Sequence, residues 1–306
     1  MYEKKLEINT EESCNYSINI SPLDSSIFFS LDDTSFLIPK ENFLSLKKFE
    51  DLKTMQKEDK FLTYTAEDTI ATSKFTDDGT KIFIGDVTKT INKLELNSDK
   101  KNFIKNNIEI KNLKTFKFDI DSSGNNLITG FSNLILYDVL NSKILKEIEN
   151  RSKFIYSFCY LPNNKCAIGN SYGSVFFFDT QKQEQINKIE EHCLLVRNLC
   201  FNENKNILYS ASDDLHINQI DINKFRCYSP IIGHKEPISS MIYNKKKNLL
   251  FTSSFDGTIK IWDDNGICVD TLEKENKIPI WDIALSKEAD FLAYCSDEGI
   301  GVYLKK

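Results

Sequence analysis

The sequence predicts an all-β protein in which seven four-stranded antiparallel units close into a ring. Three observations carry this prediction. An acidic residue ends a short apolar run about every 42 residues. A second apolar run of strand length precedes each of these, and a polar turn joins the two, which is the pattern of an antiparallel meander. The repeats fill nearly all of the 306 residues, so we expect a single domain over residues 1–306.

The clearest repeat runs from Gly233 to Asp263. It begins with Gly-His, contains three apolar runs, turns tightly at Asp256-Gly257 and ends in Trp-Asp. This pattern resembles a WD repeat, which forms one four-stranded antiparallel blade of a β-propeller. The residues equivalent to Asp263 in the preceding repeats are Asp221, Asp179, Asp138 and Glu95.

Seven such blades are predicted, so the fold class is a seven-bladed WD40 β-propeller. A single blade cannot bury both of its faces, and neighbouring blades must cover them. Residues 5–8 alternate in polarity before the first blade, and they are predicted to close the ring as the outer strand of the seventh blade. Residues 41–59 fit either a helix or an irregular outer strand, and residues 97–112 are predicted to be a surface connection. The predicted inner strands are centred on residues 18–20, 73–75, 116–118, 158–160, 199–201, 241–243 and 283–285.

Composition limits the functional classes. The net charge of −6 and the presence of only three arginines argue against direct nucleic-acid binding. No apolar leader and no apolar run of membrane-spanning length occur, so we expect a cytoplasmic protein without a membrane partner, and a nuclear location stays open. The eight cysteines include no Cys-x-x-Cys pair and there are three histidines, so neither a metal nor a cofactor is expected.

The best repeat also contains residue types that hydrolases use. A His, a hydroxyl from Thr252 or Ser254, and an Asp could form a catalytic triad or a buried hydrogen-bonded chain ending at a Trp. Because the set recurs in the preceding repeat, with Ser210 or Ser212 as the hydroxyl, a structural role is favoured and no catalysis is expected. The predicted structural network consists of His192, Asp214, His234, Thr252, Asp256 and Trp262.

A partner-binding face is predicted from the propeller geometry. The residue two positions before each inner-strand core lies near the entrance of the central channel, although such residues can also pack between blades. Aromatic residues beside carboxylates suit a peptide that offers an arginine and an apolar anchor. This ring is Tyr16, Ala71, Lys114, Tyr156, Arg197, Ser239 and Trp281, and the adjoining turns add Asp32, Asp213, Phe255 and Asp297.

Five short motifs carry a finer resemblance, at residues 30–33 (SLDD), 153–157 (KFIYS), 211–214 (ASDD), 252–256 (TSSFD) and 280–283 (IWDI). On these motifs the chain resembles the WD-repeat subunit of the superkiller complex, which is also used in the polymerase-associated factor complex. The resemblance implies a non-catalytic scaffold, a monomeric propeller within a hetero-complex. Its implied partners are a helical-repeat protein and an RNA helicase, and its implied role is support of 3′-to-5′ mRNA decay by the exosome.

The resemblance also implies which residues hold partner segments that carry an arginine and an aromatic residue. By matched position these are Tyr16, Trp281 and Asp297. The alternative is another WD-repeat adaptor, such as a ubiquitin-ligase substrate receptor, a ribosome-associated adaptor or a transcription-elongation complex subunit. The identity of the co-purifying partner would distinguish these possibilities.

Overall fold

The structure, a computed structural model, describes residues 2–9, 18–20, 27–30, 35–39, 61–65, 70–86, 91–96, 103–108, 117–149, 154–273 and 277–305. All regular secondary structure in these ranges is β-strand. Within the same ranges, no helix has the length and apolar character needed to cross a bilayer. The chain forms two compact units, residues 1–112 with 278–306, and residues 113–277.

The first unit contains three four-stranded antiparallel sheets. Two of them use consecutive strands, and the third combines the N-terminal strand with the last three strands of the chain. The strands are β1 (Tyr2–Asn9), β2 (Ile18–Ile20), β3 (Ile27–Ser30), β4 (Ser35–Pro39), β5 (Phe61–Thr65), β6 (Ile70–Phe75), β7 (Lys81–Asp86), β8 (Ile91–Leu96), β9 (Phe103–Ile108), β27 (Ile280–Leu285), β28 (Phe291–Ser296) and β29 (Gly299–Lys305).

The N-terminal strand is the outermost strand of the sheet formed by the C-terminal residues. Tyr2 lies opposite Lys305 and Asn9 lies opposite Gly299 in an antiparallel pairing of β1 with β29. The Tyr2 hydroxyl also donates a hydrogen bond to the Ala289 carbonyl at 2.6 Å. Residues 5–8 therefore lie in the outer strand that the sequence predicted for them.

The second unit contains four sheets, each built from consecutive strands. Its strands are β10 (Phe118–Ile120), β11 (Asn126–Gly130), β12 (Asn133–Asp138), β13 (Lys143–Glu149), β14 (Ile155–Leu161), β15 (Lys165–Asn170), β16 (Ser174–Asp179), β17 (Glu184–Glu190), β18 (Val196–Asn202), β19 (Ile207–Ser212), β20 (His216–Asp221), β21 (Arg226–Cys227), β22 (Ile231–Ile232), β23 (Ile238–Asn244), β24 (Leu249–Ser254), β25 (Thr258–Trp262) and β26 (Cys268–Glu273).

The prediction of seven four-stranded blades is wrong. Among the described residues there are six four-stranded blades, not seven, and the sheet of β18 to β22 has five strands. Its outer edge is divided because β21 and β22 both pair with β20 on either side of residues 228–230. Pro230 has no N–H to donate to a ladder. The Gln219 side chain instead donates to the Ser229 carbonyl at 2.9 Å.

The predicted surface connection at residues 97–112 is also wrong in its central part. Residues 103–108 form β9, which pairs with β8 from Phe103 opposite Leu96 to Ile108 opposite Ile91. Edge strands commonly carry charged and polar residues, which discourage pairing with another chain, so the Asn- and Lys-rich composition of this one concealed a strand. The helix-or-strand alternative for residues 41–59 lies outside the described residues.

Apolar side chains fill the space between neighbouring sheets of the second unit. Strand β16 has a continuous apolar run rather than an alternating one because both of its faces are covered. Val175 and Phe177 pack into the cluster shared with β18 to β20, whereas Phe176 and Phe178 pack into the cluster shared with β11 and β12. The buried sheets thus hold the loops at their ends in fixed relative positions.

Candidate interaction face

A β-bulge recurs at one position in the inner strands. In five described inner strands the pairing register shifts around one residue, which is left without a partner in the ladder. A bulge re-aims the side chain of its extra residue, and bulges are common beside functional sites. The bulged residues are Ala71 and Trp281 in the first unit and Tyr156, Arg197 and Ser239 in the second.

These five residues are the described members of the predicted channel-entrance ring. The sequence pattern selected them by their distance from the strand core, and the structure adds the backbone irregularity that all five share. Tyr16 and Lys114 of that ring, and Asp32 of the adjoining turns, lie outside the described residues.

In the second unit, two kinds of loop meet at one end of each of three sheets. The loop before the inner strand accepts a backbone hydrogen bond from the loop between the second and third strands. The pairs are Ser171 N to Phe154 O at 3.0 Å, Asp213 N to Leu195 O at 3.0 Å and Phe255 N to Pro237 O at 3.1 Å. We call this end the loop face, defined by Phe154, Tyr156, Tyr172, Leu194, Arg197, Asp213 and Phe255.

Arg197 and Asp213 form a bidentate ion pair on the loop face. The distances are 2.6 Å from Nε to Oδ1 and 2.7 Å from Nη2 to Oδ2. Such fork-to-fork geometry fixes both side chains as well as joining their charges. Burial by itself lowers the pKa of Arg197, but the hydrogen bonds and charge of Asp213 outweigh burial and raise it. The guanidinium is therefore permanently charged and already neutralised.

Two aromatic rings complete the surroundings of this guanidinium. Its Cζ lies 5.5 Å from the Tyr156 ring centroid and 5.3 Å from that of Phe255, within the range of cation–π attraction. Nη1 also lies 3.5 Å from the Tyr156 hydroxyl. Lys117 places its Nζ 5.5 Å from the same tyrosine ring and donates to the Arg197 carbonyl at 3.1 Å. Arg197 thus joins three consecutive sheets, which contain β14, β18 and β24.

The loop face also exposes large apolar side chains that sequence reasoning missed. Phe154, Tyr172 and Leu194 are 45%, 63% and 51% exposed. The Phe154 ring packs at 4.6 Å between centroids against Phe131. One signal was available in the sequence, because Tyr172 occupies the turn position at which the next two repeats have an aspartate.

Ser239 is placed differently from its neighbours in the ring. It is only 6% exposed, and its Oγ lies 2.8 Å from Oγ of Ser253. The bulge at this position therefore directs a small hydroxyl into the sheet rather than to the surface.

In the first unit, Trp281 and Asp297 form a pair of their own. The indole Nε1 donates to Oδ1 of Asp297 at 2.5 Å, and Asp297 is exposed while Trp281 is half-buried. The adjacent Asp282 accepts a hydrogen bond from the backbone N–H of Ile18 at 3.3 Å. This bond ties β2 to β27 beside the tryptophan.

The predicted structural network is assembled in the sheet of β23 to β26. His234 Nδ1 lies 2.9 Å from Asp256 Oδ2, and Nε2 lies 2.8 Å from the Thr252 hydroxyl. The Trp262 indole donates to the same hydroxyl at 2.8 Å. A methyl group at Gly233 would lie 2.8 Å from the indole ring, so only glycine fits here without displacement.

We call the chain of His234, Asp256, Thr252 and Trp262 the clasp, because its hydrogen bonds join the loop before the inner strand to the second and third strands. A neutral histidine donating from Nδ1 to Asp256 accepts at Nε2 from Thr252, which in turn accepts from Trp262, so all four groups are satisfied in one direction. The Thr252 hydroxyl is fully buried and already engaged on two sides, so it cannot meet a substrate as a nucleophile would.

A shorter version of the network lies in the sheet of β18 to β22. His192 Nδ1 lies 2.9 Å from Asp214 Oδ2, and Nε2 lies 2.9 Å from the Ser210 hydroxyl. Ile220 takes the place of the tryptophan. Burial raises the pKa of Asp214, but hydrogen bonds from His192 and two backbone N–H groups outweigh burial and lower this pKa to about 2. The pKa of Asp256 is lowered in the same way, with the Thr258 hydroxyl as a further donor.

The outer part of the five-stranded sheet and three strands of the adjoining sheet, β23 to β25, carry a family match. Residues 225–263 match the family described as WD domain, G-beta repeat. This stretch is a WD40 repeat. No curated protein matches the chain. The WD40 repeat together with the repeated four-stranded blades supports a WD-repeat propeller, a fold consistent with a non-catalytic interaction scaffold.

Proposed function

We propose that this protein is a non-catalytic protein-interaction scaffold, and that its partners bind at the bulged inner-strand positions and the loops around them. The recurring bulge carries the proposal, because it places Tyr156, Arg197 and Trp281 outside the ladder at equivalent positions of three sheets. Trp, Tyr and Arg are the residue types that dominate binding energy at protein interfaces.

The exposed apolar side chains of the loop face support the same proposal. Phe154 and Tyr172 lie in two loops that are joined by the hydrogen bond from Ser171 N to Phe154 O. Leu194 lies in the loop before the inner strand of the next repeat. Exposed large apolar side chains on neighbouring loops are typical of a partner-binding surface. The buried His–Thr–Trp chain gives no support to hydrolysis as an alternative.

The finer proposal rests on the sequence resemblance. We propose a subunit of a superkiller-like complex that supports exosome-linked 3′-to-5′ mRNA decay, with a helical-repeat protein and an RNA helicase as partners and with no direct contact to nucleic acid. The alternative is another WD-repeat adaptor, such as a ubiquitin-ligase receptor, a ribosome-associated adaptor or a transcription-elongation complex subunit.

Affinity purification of the full chain from its native cells, followed by mass spectrometry, tests the finer proposal. We expect a helical-repeat protein and an RNA helicase to be recovered together in near-stoichiometric amounts. Recovery of ligase, ribosomal or elongation-complex subunits in their place would replace this proposal with the corresponding alternative.

The scaffold proposal is tested by a variant of the Trp281–Asp297 pair. Trp281→Ala is expected to reduce recovery of the partner at least about tenfold, since interface tryptophans commonly contribute 2 kcal/mol or more. Ile267→Ala is the control, because Ile267 is an apolar residue that is 61% exposed in the turn between β25 and β26, away from the bulged positions. Equal recovery by both variants would sink the assignment of Trp281. Tyr16→Ala extends the same test to a position outside the described residues.

A further inference from the structure

Three groups of the loop face, two aromatic rings and one carboxylate, already surround a cation. We propose that Tyr156, Phe255 and Asp213 form a guanidinium-binding site whose resident ligand is the chain's own Arg197. This inference does not depend on the identity of a partner. It changes what the loop face can accept, because a partner arginine meets a site that is filled in cis.

The geometry is that of a complete receptor rather than of a single ion pair. Both oxygens of the Asp213 carboxylate are used, at 2.6 and 2.7 Å, and the two rings lie at similar distances of 5.5 and 5.3 Å from Cζ. A planar guanidinium presents a fork of donors in its plane and flat faces to aromatic rings, so it satisfies a carboxylate and rings at the same time. A neutral side chain of equal size would leave the carboxylate without its counter-charge.

The receptor groups and the ligand come from three different sheets. Tyr156 belongs to β14, Arg197 to β18, and Phe255 to the turn after β24, while Asp213 follows β19. Both Tyr156 and Arg197 are bulged residues, so the backbone irregularity is what brings ligand and ring together. Removal of the Arg197 side chain is therefore expected to leave a preformed site for a guanidinium supplied from outside.

The test uses the full chain with a small cation as probe. Nα-acetyl-arginine N-methylamide is titrated against wild-type protein and Arg197→Ala by calorimetry and by aromatic-proton NMR. We expect binding to the variant at least about tenfold tighter than to wild type. The citrulline analogue, a neutral isostere, should gain less than about twofold, because it cannot provide the charge.

Three controls keep the outcome decisive. Arg226→Ala removes an exposed arginine from the same five-stranded sheet and should gain nothing. Arg197→Ala combined with Asp213→Asn should lose the gain, which assigns it to the carboxylate. Arg197→Ser serves as a second opening variant if circular dichroism shows that Arg197→Ala does not fold.

The contrary results are equally clear. No gain in a folded Arg197 variant would overturn the proposal. An equal gain for the citrulline analogue would also overturn it, because it would show that a polar gap had been filled rather than a cation site exposed. Neither result bears on partner recovery by Trp281→Ala, so the two proposals fail separately.

Discussion

Two sheets of the second unit fill the same buried positions differently, one with hydrogen-bonded polar side chains and the other with apolar side chains. In the sheet of β23 to β26, a hydrogen-bonded chain of four side chains connects the loop before the inner strand to the third strand. In the sheet of β14 to β17, the equivalents of Thr252 and Trp262 are Ile168 and Phe178, both fully or almost fully buried, and no polar chain is possible.

The difference shows that the clasp is an addition to apolar packing and not a substitute for it. Where it is complete, every buried polar group has a partner. In the sheet of β14 to β17, where the clasp is absent, Asn170 at the end of β15 holds the following turn. Its Oδ1 accepts from both Tyr172 N and Ser174 N, at 3.0 and 2.8 Å. Its Nδ2, however, is buried without a partner among the described residues. The sheet of β18 to β22 is intermediate, which makes it the natural reference for mutation.

The largest difference in stability between the two sheets that have a histidine–aspartate pair is expected on replacing the turn aspartate. Asp256→Asn is expected to lower the free energy of unfolding by about 4 kcal/mol. Each carboxylate oxygen accepts from two donors, and in asparagine one of these oxygens becomes an NH2 group that cannot accept from its two donors. Asp214→Asn should cost about 2 kcal/mol, since one oxygen there accepts from a single backbone N–H and no hydroxyl is involved. Urea unfolding at neutral pH measures both. An equal or larger loss for Asp214→Asn would contradict the expected order.

The hub hydroxyl gives the next largest effect. Thr252→Val keeps the shape of the side chain but leaves the Trp262 indole and His234 Nε2 buried without partners, at a cost of about 3 kcal/mol. Ser210→Ala, the matched change, should cost about 1 kcal/mol, because Ile220 stands in place of the tryptophan and no indole N–H loses its acceptor. Similar losses in the two sheets would mean that the indole bond adds nothing.

The sequence predicted the clasp well because its parts recur at fixed spacing. His192 and Asp214 lie 42 residues before His234 and Asp256. It left open which hydroxyl takes part, Thr252 or Ser254. The structure assigns Thr252 to the clasp, while the Ser254 hydroxyl donates to the Glu236 carbonyl and accepts from Asp256 N. Alternate strand residues point to opposite faces, and residues two apart share a face, so spacing alone could not choose between them.

The blade count and the loop face could not be derived to the same degree. A proline in an outer strand has no effect on the repeat period, so the divided edge of the five-stranded sheet was not foreseen. The sequence predicted that aromatic residues beside carboxylates accept an arginine from a partner, and this stays a prediction. In the structure, Tyr156, Asp213 and Phe255 face an arginine of the same chain. The sequence did not indicate that Arg197 reaches all three, because contacts between neighbouring repeats depend on the bulge that re-aims the side chain.

Acid pH separates the two aspartates further. A group whose pKa is lowered in the folded state stabilises the protein above its unfolded pKa, and this contribution is lost as the pH falls through the folded pKa. For Asp214 the window runs from the ordinary value of 3.8 down to about 2. The penalty of about 2 kcal/mol for Asp214→Asn should therefore decrease toward zero as the pH is lowered from 5 to about 2. Asp256 remains ionised to lower pH because more donors face it.

Urea unfolding at a series of pH values measures this difference, with each variant compared with wild type at the same pH. The penalty for Asp256→Asn should persist at the pH at which that for Asp214→Asn has gone. Parallel decreases in the two variants would show that the Thr258 hydroxyl does not distinguish the two carboxylates.

The smallest effect is expected where the clasp is absent. Asn170→Ser replaces the amide with the residue found at the equivalent positions Ser212 and Ser254, whose hydroxyls accept from the N–H two residues later at 3.1 Å. The variant loses the bond from Ser174 N but also removes a buried donor that lacks a partner, so stability should change by less than about 0.5 kcal/mol.

The reverse change, Ser212→Asn, supplies the contrast. It introduces a buried amide whose oxygen has no N–H to accept from, because the His216 N–H already donates to Asp214. The free energy of unfolding should fall by about 2 kcal/mol. A loss above about 1.5 kcal/mol for Asn170→Ser would show that the Nδ2 of Asn170 is engaged. In that case a polar group would stabilise the sheet of β14 to β17 as well. This sheet and the sheet of β23 to β26 would then differ in which polar group they use, and both would need one.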